Sequence, residues 1–467
     1  MSVTGEMTLT AVAVALRAGK VSSRELTEQA LTRIASLNPQ LGAYVAVMET
    51  EALAAATRAD RELAGGGPFS PILGVPVAVK DVFDYGPTEA GSRILAGNVA
   101  SRPADQVTAL LQAGAVVLGK LATWEFAFAF GTAADPHPAR NPWDERRTPA
   151  GSSSGAGVAL AAHLAYGAIG TDTGGSVRLP AAACGVVGFK PTYGLLSTRG
   201  VIPLSPSLDH VGPMARTVED VSVLFKVMRR SDHDYHATQS QGHRADLAGV
   251  RVGVPRAFFS DGTDPGVLEA FDDALSALGE AGAQVRNVEL GITYADASPV
   301  ANLIVLSEAA AYHHARLAAC PERFGREFRQ LLRAGALVPA STCVSARRAQ
   351  AAIANDVDRA LADVDVLAMP TSGAVAGPLP AQPPRLDTRI REPSLPSFTW
   401  VMNLHGGPAI SVPCGLADGL PVGLQLCGPA GADGLVLSIA EAYERTRPWK
   451  LPTIQEQRSS QSAKRFW

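Results

Sequence analysis

Residues 151–176 read GSSSGAGVALAAHLAYGAIGTDTGGS, a turn, a helix, a strand and a second turn in unbroken succession. The first turn, Gly151-Ser152-Ser153-Ser154-Gly155, is too polar and too rich in glycine to continue an apolar period. The run GVALAAHLAYGAIG at 157–170 is a small-residue helix feeding a strand. The second turn, Thr171-Asp172-Thr173-Gly174-Gly175-Ser176, holds paired glycines that let the backbone fold into a concave nest of N–H groups.

Outward from this unit the same rhythm repeats. ILGVPVAVK at 72–80 is a short continuous apolar run, as expected of a strand buried on both faces, and it closes on Lys80. VTALLQAGA reads as a helix and AVVLGK at 115–120 as the next strand. VRVGVP at 250–255 and VDVLAMP at 364–370 are further strands, and AISVPCG at 409–415 can pair with VGLQLCG at 422–428 across 416–421. Helices separate most of them. The pattern predicts an α/β fold: a single large domain with a central mixed, mostly parallel β-sheet covered by helices on both faces.

The N-terminal 65 residues read as helical. Ser22-x-x-Glu25 is a capping box, Leu26, Ala30, Leu31, Ile34 and Leu37 share a face, and Asn38-Pro39 stops that helix. One domain over 1–467 is expected, with a helical part at 1–65, a core at 66–230, a second part of the same sheet at 231–455 and a flexible tail at 456–467. The Pro-rich stretch at 370–396 is long enough to be a surface or active-site loop.

Composition excludes several function classes. The 467 residues are 46% hydrophobic and 18% charged, an ordinary globular balance. A net charge of -3, from 41 basic and 44 acidic residues without like-charge blocks, argues against a nucleic-acid or polybasic membrane footprint. Cys184, Cys320, Cys343, Cys414 and Cys427 are odd in number and scattered, so reduced thiols and a cytoplasmic location are expected. LTAVAVAL at 9–16 lacks the preceding positive charge of a signal peptide, and no run reaches the roughly 18 apolar residues of a membrane span.

Amide hydrolysis needs a nucleophile, a base, an oxyanion site and a proton for the leaving amine. Ser176 ends the glycine nest, where a nucleophile belongs. Lys80 ends a buried strand, where desolvation lowers its pKa and makes a neutral amine available as base. A serine of the 151–155 turn can relay a proton between them. Each piece alone has a bland explanation: an exposed turn serine, a lysine snorkelling to water, a flexible Ser/Gly loop. The three together are far harder to produce by chance.

The run from Gly151 to Gly194 and the upstream GVPVAVKD resemble the amidase signature family of Ser-Ser-Lys amidohydrolases. The similarity continues through GVIPLSPSLDHVGPMARTVEDV at 200–221 and NLHGGPAISVPCGLADGLPVGLQL at 403–426. By position, the resemblance implies Ser176 as nucleophile, Lys80 as catalytic lysine, and Ser152 as the bridging serine on a cis peptide. Three serines in a row leave Ser153 as the rival to Ser152; otherwise it is a supporting hydrogen-bonder. The amides of Thr173, Gly174, Gly175 and Ser176 match the oxyanion nest, and Asp172 and Arg178 match residues that hold it in shape. No cofactor and no metal are implied. The loop after Lys80 and the segment GTAADPHPARNPWD look compressed, which weakens any transfer of substrate.

Rival motifs fare worse. GSSSG fits a nucleophile elbow but follows a loop, RRTPA, not a strand. Gly114 to Lys120 lacks the Ser or Thr of a P-loop. His233-x-x-His236 and the adjacent His313-His314 make no metal pattern, and His210 sits in what reads as a loop. The alternation Trp124, Phe126, Phe128, Phe130 reads as a strand or core face, with a pocket wall as the sharper alternative.

The resemblance covers two kinds of enzyme. One is a free-standing amidase cleaving a small carboxamide through an acyl-enzyme. The other is a glutaminase-type subunit of a glutamyl-tRNA(Gln) amidotransferase-like complex. The latter usually places an Asp three residues before the Thr of its T-x-P-x-N-L segment; here Pro396 stands before Thr399. That favours the free-standing enzyme, with a small-molecule amide as partner, no direct nucleic acid or membrane contact, and a homodimer left open. Tyr312, His313, Trp400 and the 370–396 loop are the pocket candidates.

Overall fold

Among the described residues eleven strands order themselves into one sheet: β1 (Tyr44–Val47), β2 (Pro76–Lys80), β3 (Val116–Leu121), β4 (Gly167–Asp172), β5 (Val187–Lys190), β6 (His210–Ala215), β7 (Arg251–Val254), β8 (Gln284–Asn287), β9 (Val366–Pro370), β10 (Ala409–Ala417) and β11 (Leu420–Cys427). The computed structural model describes residues 6–128, 138–229, 246–379 and 397–451. Phe130, His233, His236, Pro396, most of the Pro-rich stretch and the expected tail lie outside the described residues. The spatial order is β1-β3-β2-β4-β6-β5-β10-β11-β9-β7-β8.

The sheet is mixed, as expected, but it is not mostly parallel. Six of its ten strand pairings are antiparallel and four are parallel. Half of the antiparallel pairings come from the β10–β11 hairpin in the middle, and two more from β6, which runs antiparallel to both β4 and β5. The hairpin's two-residue turn uses Asp418 and Gly419, both at positive φ, and each hairpin strand then pairs antiparallel with β5 or β9. Parallel pairing survives on the flanks, where helices return the chain.

Apolar side chains alternate between two layers. Val77, Val79, Val117 and Ile169 belong to one core, while Ala78, Val116, Leu118 and Ala168 belong to the other. Helices therefore cover both faces, and the central strands β2, β3, β4, β6, β9 and β11 are buried throughout. The edge strands β1 and β8 carry exposed residues.

The N-terminal region holds the helices Leu9–Arg17, Ser23–Leu41 and Glu49–Gly65, with β1 inserted among them. Ser22 and Glu25 form the capping box. Asn38-Pro39 does not stop the helix: Pro39 lies inside it, and the end falls at Gly42, which takes the left-handed conformation at φ 62. Asn38 instead turns its side chain onto the backbone of Tyr44, at 2.7 and 2.9 Å, and so launches β1. Between β8 and β9 a helical excursion, Tyr294–Ala319, Arg326–Ala336 and Ala340–Leu361, packs against the short helix Trp400–His405. No helix among the described residues is long and apolar enough to cross a membrane.

Candidate active site

Lys80 ends β2 between its parallel neighbours β3 and β4, fully buried. Its Nζ donates to Ser152 Oγ and to Thr171 Oγ1, both at 2.8 Å. Burial drives its pKa down to about 7; the charges of Asp209 and Asp172 limit the fall. An amine so placed gives up its proton near neutrality.

The serine turn crosses beside it. The Gly151–Ser152 peptide is cis. Gly151 presses on Trp124 so closely that a Cβ there would sit 2.2 Å from the indole. The three serines then part ways. Ser152 Oγ meets Lys80. Ser153 Oγ donates to the Thr171 carbonyl at 3.3 Å, and its amide to the Ser176 carbonyl at 3.2 Å. Ser154 Oγ reaches the Ala122 carbonyl at 3.4 Å and starts the helix Ser154–Ala161. The geometry thus puts Ser152, rather than Ser153, on the lysine.

Ser176 follows β4 by one tight turn and is half-buried, the most open of the three polar groups. The turn is held by Asp172. Its carboxylate accepts from the amides of Gly175 at 2.8 Å and Val177 at 3.2 Å, and pairs with Arg178 at 2.8 Å. Burial alone would raise the Asp172 pKa, but the Arg178 charge and hydrogen bonds hold it well below the usual carboxylate range. Arg178 in turn donates to the Thr399 carbonyl, Gln425 and Asn403 at 3.0, 2.6 and 2.7 Å. Asn403 closes the ring by donating to Asp172 at 2.9 Å. Because the Gly175 amide is bound to Asp172, an oxyanion would meet those of Thr173, Gly174 and Ser176, which have no protein acceptor among the described residues.

Ser176 faces a cavity of about 390 Å³. Trp124, Phe128, Leu179, Val375, Trp400 and Val422 line it, beside Gly151 and Gly174. No Asp, Glu, Lys, Arg or His is among its described lining residues. Gly174 lies against Trp400; a Cβ there would fall 2.3 Å from the ring.

Trp400 lines this cavity, and Tyr312 is not among its described lining residues. Tyr312 stands 38% exposed on the helical excursion beneath the Arg316 guanidinium. Its neighbour His313 is buried in a cage of Phe126, Phe324 and Phe328, and His314 is exposed. The aromatic alternation is no strand: Phe126 and Ala127 take positive φ, so Phe126 enters the core while Trp124 and Phe128 wall the cavity. His210 belongs to β6, not to a loop, with its Nδ1 against the carbonyls of Leu208 and Asp172. Lys120, at the end of the rejected P-loop stretch, lies in β3 and donates to Phe83, Thr88 and Tyr85, fixing the loop after Lys80. Sequence reasoning missed Thr171, Asn403 and Gln425. Membership of TDTGGS flags the first; nothing local flags the others. Among the described residues no three His, Cys, Asp or Glu side chains cluster as metal ligands.

A fully buried lysine on a serine, beside a glycine nest that ends in a second serine, is the layout of a Ser-Ser-Lys hydrolase. The Amidase family model matches residues 25–437, and the chain belongs to that family of hydrolases acting on amide C–N bonds. Among curated relatives, a glutamyl-tRNA(Gln) amidotransferase subunit of Chloroflexus aggregans is 38% identical over 484 residues, covering 95% of this chain and 97% of the relative. Among solved structures, native peptide amidase of Stenotrophomonas maltophilia matches with a TM-score of 0.81 at 32% identity, over 96% of this chain and 99% of that one. The corresponding amidotransferase subunit of Thermotoga maritima matches with a TM-score of 0.76 at 30% identity, over 96% and 98%.

Proposed function

We propose that the protein is a free-standing amidase that cleaves small carboxamides with an apolar acyl group. The observation that carries this is the cavity at Ser176, whose described lining is mostly apolar, with hydroxyl side chains but no charged group. An aryl or alkyl acyl group is desolvated there at no electrostatic cost. The α-ammonium and carboxylate of glutamine would enter unpaired.

In the proposed reaction neutral Lys80 takes a proton from Ser152, which takes one from Ser176. Ser176 attacks the carbonyl carbon, and the free amides of the nest receive the oxyanion. The proton returns through Ser152 to the leaving nitrogen as the C–N bond breaks. Water then enters, gives its proton to the same relay and releases the carboxylate. Asp172 and Arg178 hold the nest in place throughout.

The relationship to glutamyl-tRNA(Gln) amidotransferase subunits supports a second reading, in which the chain releases ammonia from glutamine within a complex. Two measurements on the purified chain alone separate the readings. A serine-directed fluorophosphonate should add once, on Ser176, and not to Ser176→Ala. Benzamide or an alkyl carboxamide should then turn over about 100-fold faster than glutamine. No adduct on the folded chain, or glutaminase activity that appears only with added partner subunits, overturns the free-standing reading.

A further inference from the structure

Asp209 lies one residue before β6 and is nearly fully buried, yet the relay described above does not use it. Its Oδ1 accepts the hydroxyl of Thr173 at 2.6 Å. Its two oxygens also accept the amides of Leu204 at 3.0 Å and Ser205 at 3.1 and 3.0 Å. All these partners donate, so the site is built for a carboxylate. Thr173 is the first residue of the glycine nest, and its amide is one of those left open beside Ser176. The chain of contacts continues outward. Ser205 Oγ donates to Glu308 at 2.5 Å, and Glu308 also accepts from Ser207 and pairs with Arg347. Glu308 and Arg347 sit on two different helices of the excursion, Tyr294–Ala319 and Ala340–Leu361.

We propose that Asp209 is a positioning residue for catalysis: it fixes Thr173, and through it the oxyanion amides, and places its carboxylate charge near Lys80. The proposal rests on the assignment of the nest and of Lys80 made above. Several charged and titratable groups face Asp209. Lys80 is attracted to it from β2. Glu308 opposes it from the excursion, with Arg347 behind. Tyr193 lies beside it with its hydroxyl on the Pro206 carbonyl, and both line a second cavity, apart from the one at Ser176, together with the ion pair of Arg199 and Asp105. The adjacent His210 is held neutral by burial. Asp172, the other carboxylate acting on Lys80, is neutralised by Arg178. Among the described residues Asp209 has no cation in hydrogen-bond contact, so removing its charge is felt by Lys80.

The test is the rate of Ser176 labelling by a fluorophosphonate against pH, which needs no knowledge of the substrate. Asp209→Asn should label about 10- to 100-fold more slowly. The acid limb of its profile should move to lower pH, because Lys80 loses a nearby negative charge. Thr173→Val should slow labelling without moving the limb, and Thr173→Ser should restore it. A folded Asp209→Asn with the wild-type rate and limb overturns the proposal, as does a slowed variant whose limb stays fixed. If wild type itself does not label, the nucleophile assignment fails first, and the two failures are told apart.

Discussion

Replacing Arg178 by Met keeps the length of the side chain and removes its charge from the interior. The native guanidinium makes five side-chain hydrogen bonds, two to Asp172 and one each to the Thr399 carbonyl, Gln425 and Asn403. Without it, the Asp172 carboxylate keeps backbone amides, Asn403 and the longer-range pull of Lys80 and Lys190, but no cation in contact. Breaking a buried pair by removing one partner costs about 3–5 kcal/mol. That is a large part of a typical folding stability of about 5–15 kcal/mol. The cost must also depend on pH. In the native protein Asp172 is held below the usual carboxylate range, so its contribution is present above the unfolded pKa and is lost only as pH falls through the depressed folded value. In Arg178→Met the burial of Asp172 loses its main opponent, and the folded pKa rises. The folded variant then binds more protons than the unfolded chain, so it loses stability as pH rises. Urea unfolding of both proteins at intervals from pH 5 to 8 should show a deficit that widens towards pH 8. The double variant Asp172→Asn/Arg178→Met should recover part of it. A deficit below about 1 kcal/mol, or one that does not change over this range, would refute the view of Arg178 as the charge that fixes the turn.

The relay makes a simpler prediction. Lys80→Ala and Ser176→Ala should each abolish turnover in a folded protein, with Ser152→Ala nearly as severe, and wild-type activity should rise with pH through about 7 as Lys80 loses its proton. A fully active Lys80→Ala, or an acid optimum, would break the relay. Gly174→Ala should cost about 100-fold in labelling of Ser176, because its Cβ would stand 2.3 Å from the Trp400 ring. Adding Trp400→Ala should recover part of that loss, and a Gly174→Ala protein of normal rate would show that the nest tolerates displacement.

The catalytic half of the site was readable because its signals are local. An apolar run closing on Lys80, and glycines flanking Ser152 and Ser176, each mark a backbone that does something unusual over a few residues. The supporting half is not local. Arg178 finds Asn403 and Gln425 more than 220 positions away. No periodicity in 397–426 distinguishes those two from other buried polar residues. Strand positions were legible from apolar runs, but direction was not. It depends on which strands the β10–β11 hairpin meets, a tertiary choice. The spacing of Trp124, Phe126 and Phe128 misled for a different reason: period two implies a strand only while φ stays negative, and Phe126 and Ala127 do not comply. Tyr312 looked like a pocket residue by its chemistry alone, and the excursion turns it to solvent.

The ring around Arg178 also sets an order of events during synthesis. Asp172 and Ser176 leave the ribosome long before Asn403 and Gln425, which complete the cradle of the turn from a later part of the chain. A nascent chain that stops short of residue 425 has the lysine and both serines but lacks this support. Hydrolytic competence therefore arrives late, only once β11 has been made, and fragments truncated before β11 should carry the reactive side chains without the enzyme.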